Sequence, residues 1–295
     1  MSTELDREPT PAASRASLVP PLVLDGVTKQ FRVRGRHRGM LTAVDDVSFT
    51  IEPGSALGLV GASGSGKSTL ASMITGATRP SSGSITFGEF EVQTLNTRAL
   101  RRYHRQVQMV FQDPYGALNP LHTVAYTVSR PLRNFLDMTA EQADTRVHEL
   151  LDTVGLTPAG QYAAKLPHQL SGGQRQRVVI ARALACEPDL IIADEPVSML
   201  DVSLRAGVLR LLTQLRKERG LSLLYITHDL LSARVATDDI IVLNEGRIVE
   251  RGETKKVLQH PNDEYTIRLL DAVANPFDRD NKTETSRADE PGVHP

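Results

Sequence analysis

Short apolar runs ending in polar or glycine-rich turns alternate, along this 295-residue chain, with longer stretches whose apolar residues recur at helical spacing. Residues 22–31 and 44–51 read as strands, the second closing at the turn residues Pro53 and Gly54. The run 55–60 is a further apolar segment that gives way to glycines and then to a helical pattern. Residues 84–90 add a strand, which predicts a mainly antiparallel layer, and 107–111 another, closed by Gln112, Asp113 and Pro114. From there to about residue 170 the period is helical: Thr139 and Gln142 have capping-box spacing, Val147, Leu150, Leu151 and Val154 share a face, and Gly155 stands where a helix stops. Residues 190–193 form a continuous apolar run ending in Asp194 and Glu195, as a buried parallel strand does. Leu204, Val208, Leu211, Leu212 and Leu215 predict one helix face that ends at Gly220, and 223–227 a strand ending at His228. Strand, helix, strand with polar residues at each strand's C-terminal end predicts a doubly wound α/β core with its ligands at that edge.

Composition narrows the picture. An apolar content of 40% supports a full core, and 34 Lys and Arg against 35 Asp and Glu leave no global field to draw the chain to nucleic acid or an anionic membrane. The single cysteine, Cys186, excludes an internal disulfide and any cysteine-rich metal site, which suits a reducing compartment. The first residues carry neither a basic region nor an apolar stretch, and no apolar run approaches the length of a membrane span, so a cytoplasmic chain is expected. Residues 1–21, rich in Pro, Ala, Ser and Thr, and the polar residues 278–295 are expected to be disordered. The charge run 32–38, with four arginines, reads either as a solvated loop or as a docking patch for an acidic or phospholipid surface.

The chemistry begins at residues 61–69: Gly61, Ala62, Ser63, Gly64, Ser65, Gly66, Lys67, Ser68 and Thr69. They fit the phosphate-binding pattern G-x-x-x-x-G-K-[ST] between a strand and a helix. Glycines let several backbone N–H groups converge, and the helix start adds its own free donors and dipole. Lys67 would reach the β- and γ-phosphates, and the Ser68 hydroxyl would hold Mg²⁺. Such a loop needs a carboxylate at the end of a neighbouring strand to finish the metal shell, a role for Asp194, while Glu195 would orient or deprotonate the attacking water. Ser171, Gly172, Gly173 and Gln174 open a helical stretch with Ser and Gln at capping-box spacing, by itself an ordinary helix start; beside the phosphate loop, its hydroxyl and glycine N–H groups also read as a second anion site. Two half-sites in one chain suggest two copies facing each other.

In this order the motifs resemble those of the ATPase subunit of an ATP-binding-cassette (ABC) transporter, most similar to the dipeptide and oligopeptide importer ATPases. Residues 61–69 correspond to the Walker A motif, Gln112 to the Q-loop, residues 171–174 to the signature, Asp194 and Glu195 to Walker B and its catalytic glutamate, 198–201 to the D-loop with Asp201, and His228 to the H-switch. Phe31 falls where the family stacks an aromatic on adenine. The resemblance implies a P-loop NTPase fold with a RecA-like parallel-sheet core, an antiparallel β subdomain and an inserted helical subdomain. The cassette would span 22–260, with its helical subdomain at about 113–175, followed by a peptide-importer-type segment at 261–277. ATP and Mg²⁺ are the implied ligands, with Gln112 sensing both the γ-phosphate and the metal and His228 contacting the γ-phosphate. The implied partners are a second ABC ATPase subunit, two transmembrane permease subunits and, indirectly, an extracytoplasmic substrate-binding protein, with no nucleic acid. The working location is the cytoplasmic face of the membrane.

The family commonly has threonine after Asp-Glu-Pro and alanine inside the D-loop, where this chain has Val197 and Met199; Ser198 and Asp201 are kept. The likeness to peptide importers rests on the basic insertion after Phe31, on residues 111–120 and on 260–270, the last resembling a C-terminal His-Pro-Tyr-Thr region with extra residues between Pro261 and Tyr265. Importers of nickel and other small solutes share these features. Soluble ABC ATPases of DNA repair or ribosomes usually carry two cassettes, a long coiled coil or zinc cysteines, all missing here, and the 260–270 match argues against an exporter.

Overall fold

A computed structural model of the chain describes residues 19–33 and 39–274. Residues 34–38 of the basic run, the lead-in as far as residue 18 and the C-terminal tail expected at 278–295 lie outside the described residues. The strands are β1 (Leu22–Val33), β2 (Gly39–Ile51), β3 (Ala56–Val60), β4 (Ser82–Phe87), β5 (Phe90–Glu91), β6 (Val107–Val110), β7 (Leu190–Asp194), β8 (Ser222–Thr227), β9 (Asp239–Asn244) and β10 (Arg247–Glu253). They form an antiparallel sheet in the order β2-β1-β4-β5 and a six-stranded sheet in the order β10-β9-β3-β8-β7-β6, parallel except for its β9–β10 edge.

The continuous apolar runs are explained by burial on both faces of the parallel sheet. In β7, Leu190 and Ile192 enter one core cluster while Ile191 and Ala193 enter another. Leu223 and Tyr225 of β8 likewise face the second cluster, and Leu224 and Ile226 the first. One face is covered by the antiparallel sheet together with α1 (Lys67–Ile74) and α2 (Thr97–Gln106). The other belongs to a helical unit: α3 (Pro114–Ala117), α4 (Val124–Phe135), α5 (Ala140–Thr153), α6 (Ala159–Ala163) and α7 (Gly172–Leu184), joined by α8 (Val202–Arg219). The α5 capping box forms as expected: the Gln142 N–H donates to Thr139 Oγ1 at 3.3 Å, and the Thr139 N–H to Gln142 Oε1 at 3.0 Å. The remaining helices are α9 (Leu230–Ala236), α10 (Thr254–Gln259) and α11 (Glu264–Ala274). Among the described residues no helix is long and apolar enough to cross a membrane.

Several expectations are corrected. The first hairpin is longer than its apolar pattern, because Phe31 pairs with Leu41 and Arg32 with Met40 through backbone bonds that need no buried side chain. Residues 84–90 are not one strand: the chain turns at Gly88, and Phe87 pairs with Phe90 across a short hairpin. Leu204 is not on the buried face of α8 but 37% exposed, lying against Gly173; Leu209 takes part in that face instead. The lead-in ends sooner than residue 21, since Val19 is buried and Pro20 packs beside Gly88. Strands β9 and β10 add to the expected elements, and the run from Ile240 to Leu243 followed by Asn-Glu-Gly carries their signal.

Candidate active site

β3 lies in the middle of the sheet and delivers its C-terminal end to the glycine-rich loop, which closes on α1. Gly66 occupies the N-cap of that helix with φ 108°, and no side chain caps the helix. Only glycine suits this backbone, and a Cβ there would press on the Ala43 carbonyl. Gly61 is fixed by close approach, since a Cβ would collide with the Leu243 carbonyl oxygen. The first N–H groups of α1 are therefore left without a side-chain acceptor, the arrangement that binds anions.

Lys67 is 6% exposed, and its Nζ donates to the carbonyls of Gly61 at 2.8 Å and Ala62 at 2.9 Å. Burial holds its pKa below the usual lysine value, while the nearby carboxylates of Glu195 and Asp194 push the other way. Asp194, at the end of β7, is held above the ordinary carboxylate range by burial and by repulsion from Glu195, against the pull of Lys67. Both shifts describe groups that gain from a ligand of opposite charge: polyphosphate for the lysine, a hard cation for the aspartate. The buried Ser65 hydroxyl has no hydrogen-bond partner.

Glu195 adopts a left-handed backbone, φ 45°, pinned by its N–H donating to the Ile226 carbonyl at 2.8 Å and by the Ser198 hydroxyl donating to its own carbonyl at 3.0 Å. A non-glycine residue held there is a strained position that the surrounding structure must impose. Its carboxylate takes a hydrogen bond from Gln112 Nε2 at 3.2 Å and lies 2.7 Å from His228 Nδ1. Gln112 follows β6 and His228 follows β8, so the ends of three parallel strands meet at one carboxylate.

These groups line one cavity of about 880 Å³, which includes Ala62, Ser63, Gly64, Gly66, Lys67, Ser68, Thr69, Gln112, Asp194, Glu195 and His228. Gly61 and Ser65 are buried parts of the same loop that do not line it, and neither does Phe31, whose exposed ring lies 5.1 Å from Lys29 Nζ. Ser171, Gly172, Gly173, Gln174 and Asp201 are also outside the lining. Ser171 caps α7 through a reciprocal box, its N–H donating to Gln174 Oε1 at 3.0 Å and its Oγ accepting from the Gln174 N–H at 3.3 Å. This second half-site is joined to the segment after Gln112: the Arg175 guanidinium lies 4.0 Å from the Tyr115 ring centre, and Arg182 donates to the Ala117 carbonyl at 2.6 Å.

Sequence reasoning missed Ala43, Arg205, Asp229, Leu269 and Ala272 in the lining. Asp229 had a signal, since it follows a strand end and caps α9 through the Leu231 N–H at 2.9 Å. Arg205 and the two α11 residues sit inside helical patterns that say nothing of which cavity they face.

A phosphate loop on the central strand, a carboxylate pair ending a nearby parallel strand and a helical unit set between them define a P-loop NTPase. Residues 44–198 match the family described as ABC transporter. The chain belongs to the ABC transporter family, binds ATP and is an ATPase. It is 45% identical to the oligopeptide transport ATP-binding protein OppF of Lactococcus lactis subsp. lactis (strain IL1403), over 78% of this chain and 72% of that protein. With OppF of Bacillus subtilis (strain 168) the identity is 43%, over 87% and 84%. Among solved structures, the dimeric post-hydrolysis state of the ATP-binding cassette MJ0796 bound to ADP and Pi matches with a TM-score of 0.70 and 32% identity, over 79% of this chain and 98% of that one. CbiO1 of Clostridium perfringens, part of the ABC transporter complex cbiONQ, matches with 0.71 and 27%, over 90% and 98%.

Proposed function

We propose that this chain is the ATP-hydrolysing subunit of an ABC importer for di- or oligopeptides, working at the cytoplasmic face of the membrane with two transmembrane permease subunits and a second ATPase subunit. An extracytoplasmic binding protein delivers the solute, which this subunit does not touch. The observation that carries the reading is the convergence of Lys67, Asp194, Glu195, Gln112 and His228 on one cavity in a chain over 40% identical to oligopeptide transport ATP-binding proteins.

Within that reading the loop N–H groups and Lys67 bind the phosphates, and Phe31 stacks on adenine. Ser68 and Asp194, with Gln112, would hold Mg²⁺, whose charge would offset that of the phosphates. Glu195 takes the proton of the attacking water, and His228 contacts the γ-phosphate. Ser171, Gly172, Gly173 and Gln174 close over the partner's nucleotide, with Asp201 at the junction. The cassette spans 22–260, its helical subdomain at about 113–175 receives the permease, and 261–277 is the importer-type extension.

Mild detergent extraction of the native complex tests this reading. Two permease subunits should stay bound to the chain, and ATP hydrolysis should stop in excess chelator and return with Mg²⁺. Co-purification with ribosomes or DNA, or full activity in chelator, would overturn it. Peptide uptake lost with the chain, against nickel uptake lost, decides the solute class.

A further inference from the structure

Helix α11 reaches the phosphate loop. The Ala62 N–H donates to the Tyr265 hydroxyl at 2.8 Å, and Leu269 and Ala272, one and two turns further along, line the nucleotide cavity. The helix is anchored at its start, where the Glu250 carboxylate of β10 accepts from the Asn262 N–H at 2.8 Å and the Asp263 N–H at 3.3 Å. Asp263 in turn accepts the Tyr265 N–H at 2.8 Å. Asn262 and Asp263, two of the three residues between Pro261 and Tyr265, thus tie the helix down.

Ala62 is held from both sides. Its carbonyl takes the Lys67 ammonium at 2.9 Å and the Ser65 N–H at 3.2 Å, and its N–H goes to Tyr265. The Gly61 and Ala62 carbonyls take two of the three donors of the Lys67 ammonium, so a phosphate that draws Lys67 toward itself competes with the Ala62 carbonyl and weakens the charged brace on the loop. The hydroxyl of Tyr265 is a brace that phosphate does not compete for. We propose that Tyr265 is a positioning residue for the phosphate loop, holding the Ala62 peptide in place when Lys67 engages nucleotide, so that α11 tunes ATP affinity.

The proposal rests on the reading of this cavity as the ATP site. Its test is Tyr265→Phe, which removes one oxygen and keeps the ring, measured in the full chain within its complex. Losing one neutral hydrogen bond that matters most in the bound state should raise KM and the ATP dissociation constant by about 2- to 12-fold, with kcat unchanged and a larger fall in the thermal midpoint with nucleotide than without it. Glu250→Gln, which reaches the loop only through α11, should raise KM in the same direction, and the two changes together should raise it by less than the product of their separate effects. An unchanged KM in Tyr265→Phe, or a lower thermal midpoint with unchanged KM, would overturn the positioning role while the ATP site stands; a fully multiplicative double variant would overturn the route through α11. A parental complex that binds no ATP would overturn the site itself and the proposal with it.

Discussion

Replacing Glu195 by glutamine separates binding from chemistry at this site. The side chain is 14% exposed and bridges Gln112 Nε2 at 3.2 Å and His228 Nδ1 at 2.7 Å. A glutamine has the same length, accepts on one side and donates on the other, and both neighbours can adjust: the Gln112 amide by turning over, the histidine by changing tautomer. The fold and the cavity should therefore survive. What is lost is a basic oxygen. Removal of a general base slows turnover by roughly 10²- to 10⁴-fold, equivalent to about 2.7–5.4 kcal/mol on the barrier at 1.36 kcal/mol per decade. ATP should still bind, since on the proposed reading the loop and Lys67 hold the phosphates, and one negative charge near them is gone. The complex should accumulate as an ATP-bound closed pair, or as a half-active pair where the partner cassette carries its own base. Nucleotide occupancy and steady-state hydrolysis, measured side by side, check this. Turnover at the parental rate would refute the base assignment, and loss of ATP binding would make Glu195 a structural residue.

Lys67→Ala should weaken ATP binding as well as turnover, because the ammonium neutralises phosphate already in the ground state; equilibrium binding reads the first and hydrolysis the second. The pH dependence of binding follows from the same residue. Its pKa lies below 10.5 in the folded chain because of burial, and adjacent phosphates raise it, so binding takes up a proton between the two values and affinity falls as pH rises through that window. Calorimetry in buffers of different ionisation enthalpy should detect the uptake, and Lys67→Ala should abolish it. Ser171→Arg should abolish hydrolysis at the site built on the partner's loop while leaving ATP binding at this chain's own loop intact, as site-specific photolabelling of the two subunits would reveal.

Much of this was legible in the residues. The buried parallel strands announced themselves as continuous apolar runs because both of their faces are covered, and the loop at 61–69 carries its chemistry in sequence. What escaped depends on contacts between distant positions. Gln112 and Glu195 are 83 residues apart, and Ala62 and Tyr265 are 203 apart; no local pattern encodes a meeting that the sheet order creates. The outer ends of β1 and β2 escaped for another reason: a solvated hairpin pairs by backbone alone, so Arg32 opposite Met40 leaves no alternation to read. Leu204 misled because helical spacing does not tell an exposed leucine shielding Gly173 from one in the core.

Three chemical groups of the candidate site stand at the ends of β3, β7 and β8, strands whose registers are locked to one another by parallel pairing. This divides the chain's tolerance of change unevenly. Charge reversals scattered over the solvent side of the helices do not touch the pairing that sets those strand ends, so the outer surface is freer to drift. A single methylene removed from Ile191 or Ile192, both buried in the sheet, lies closer in effect to the reaction than many surface replacements. The stiffness of the bed beneath the candidate site is thus what this chain can least exchange.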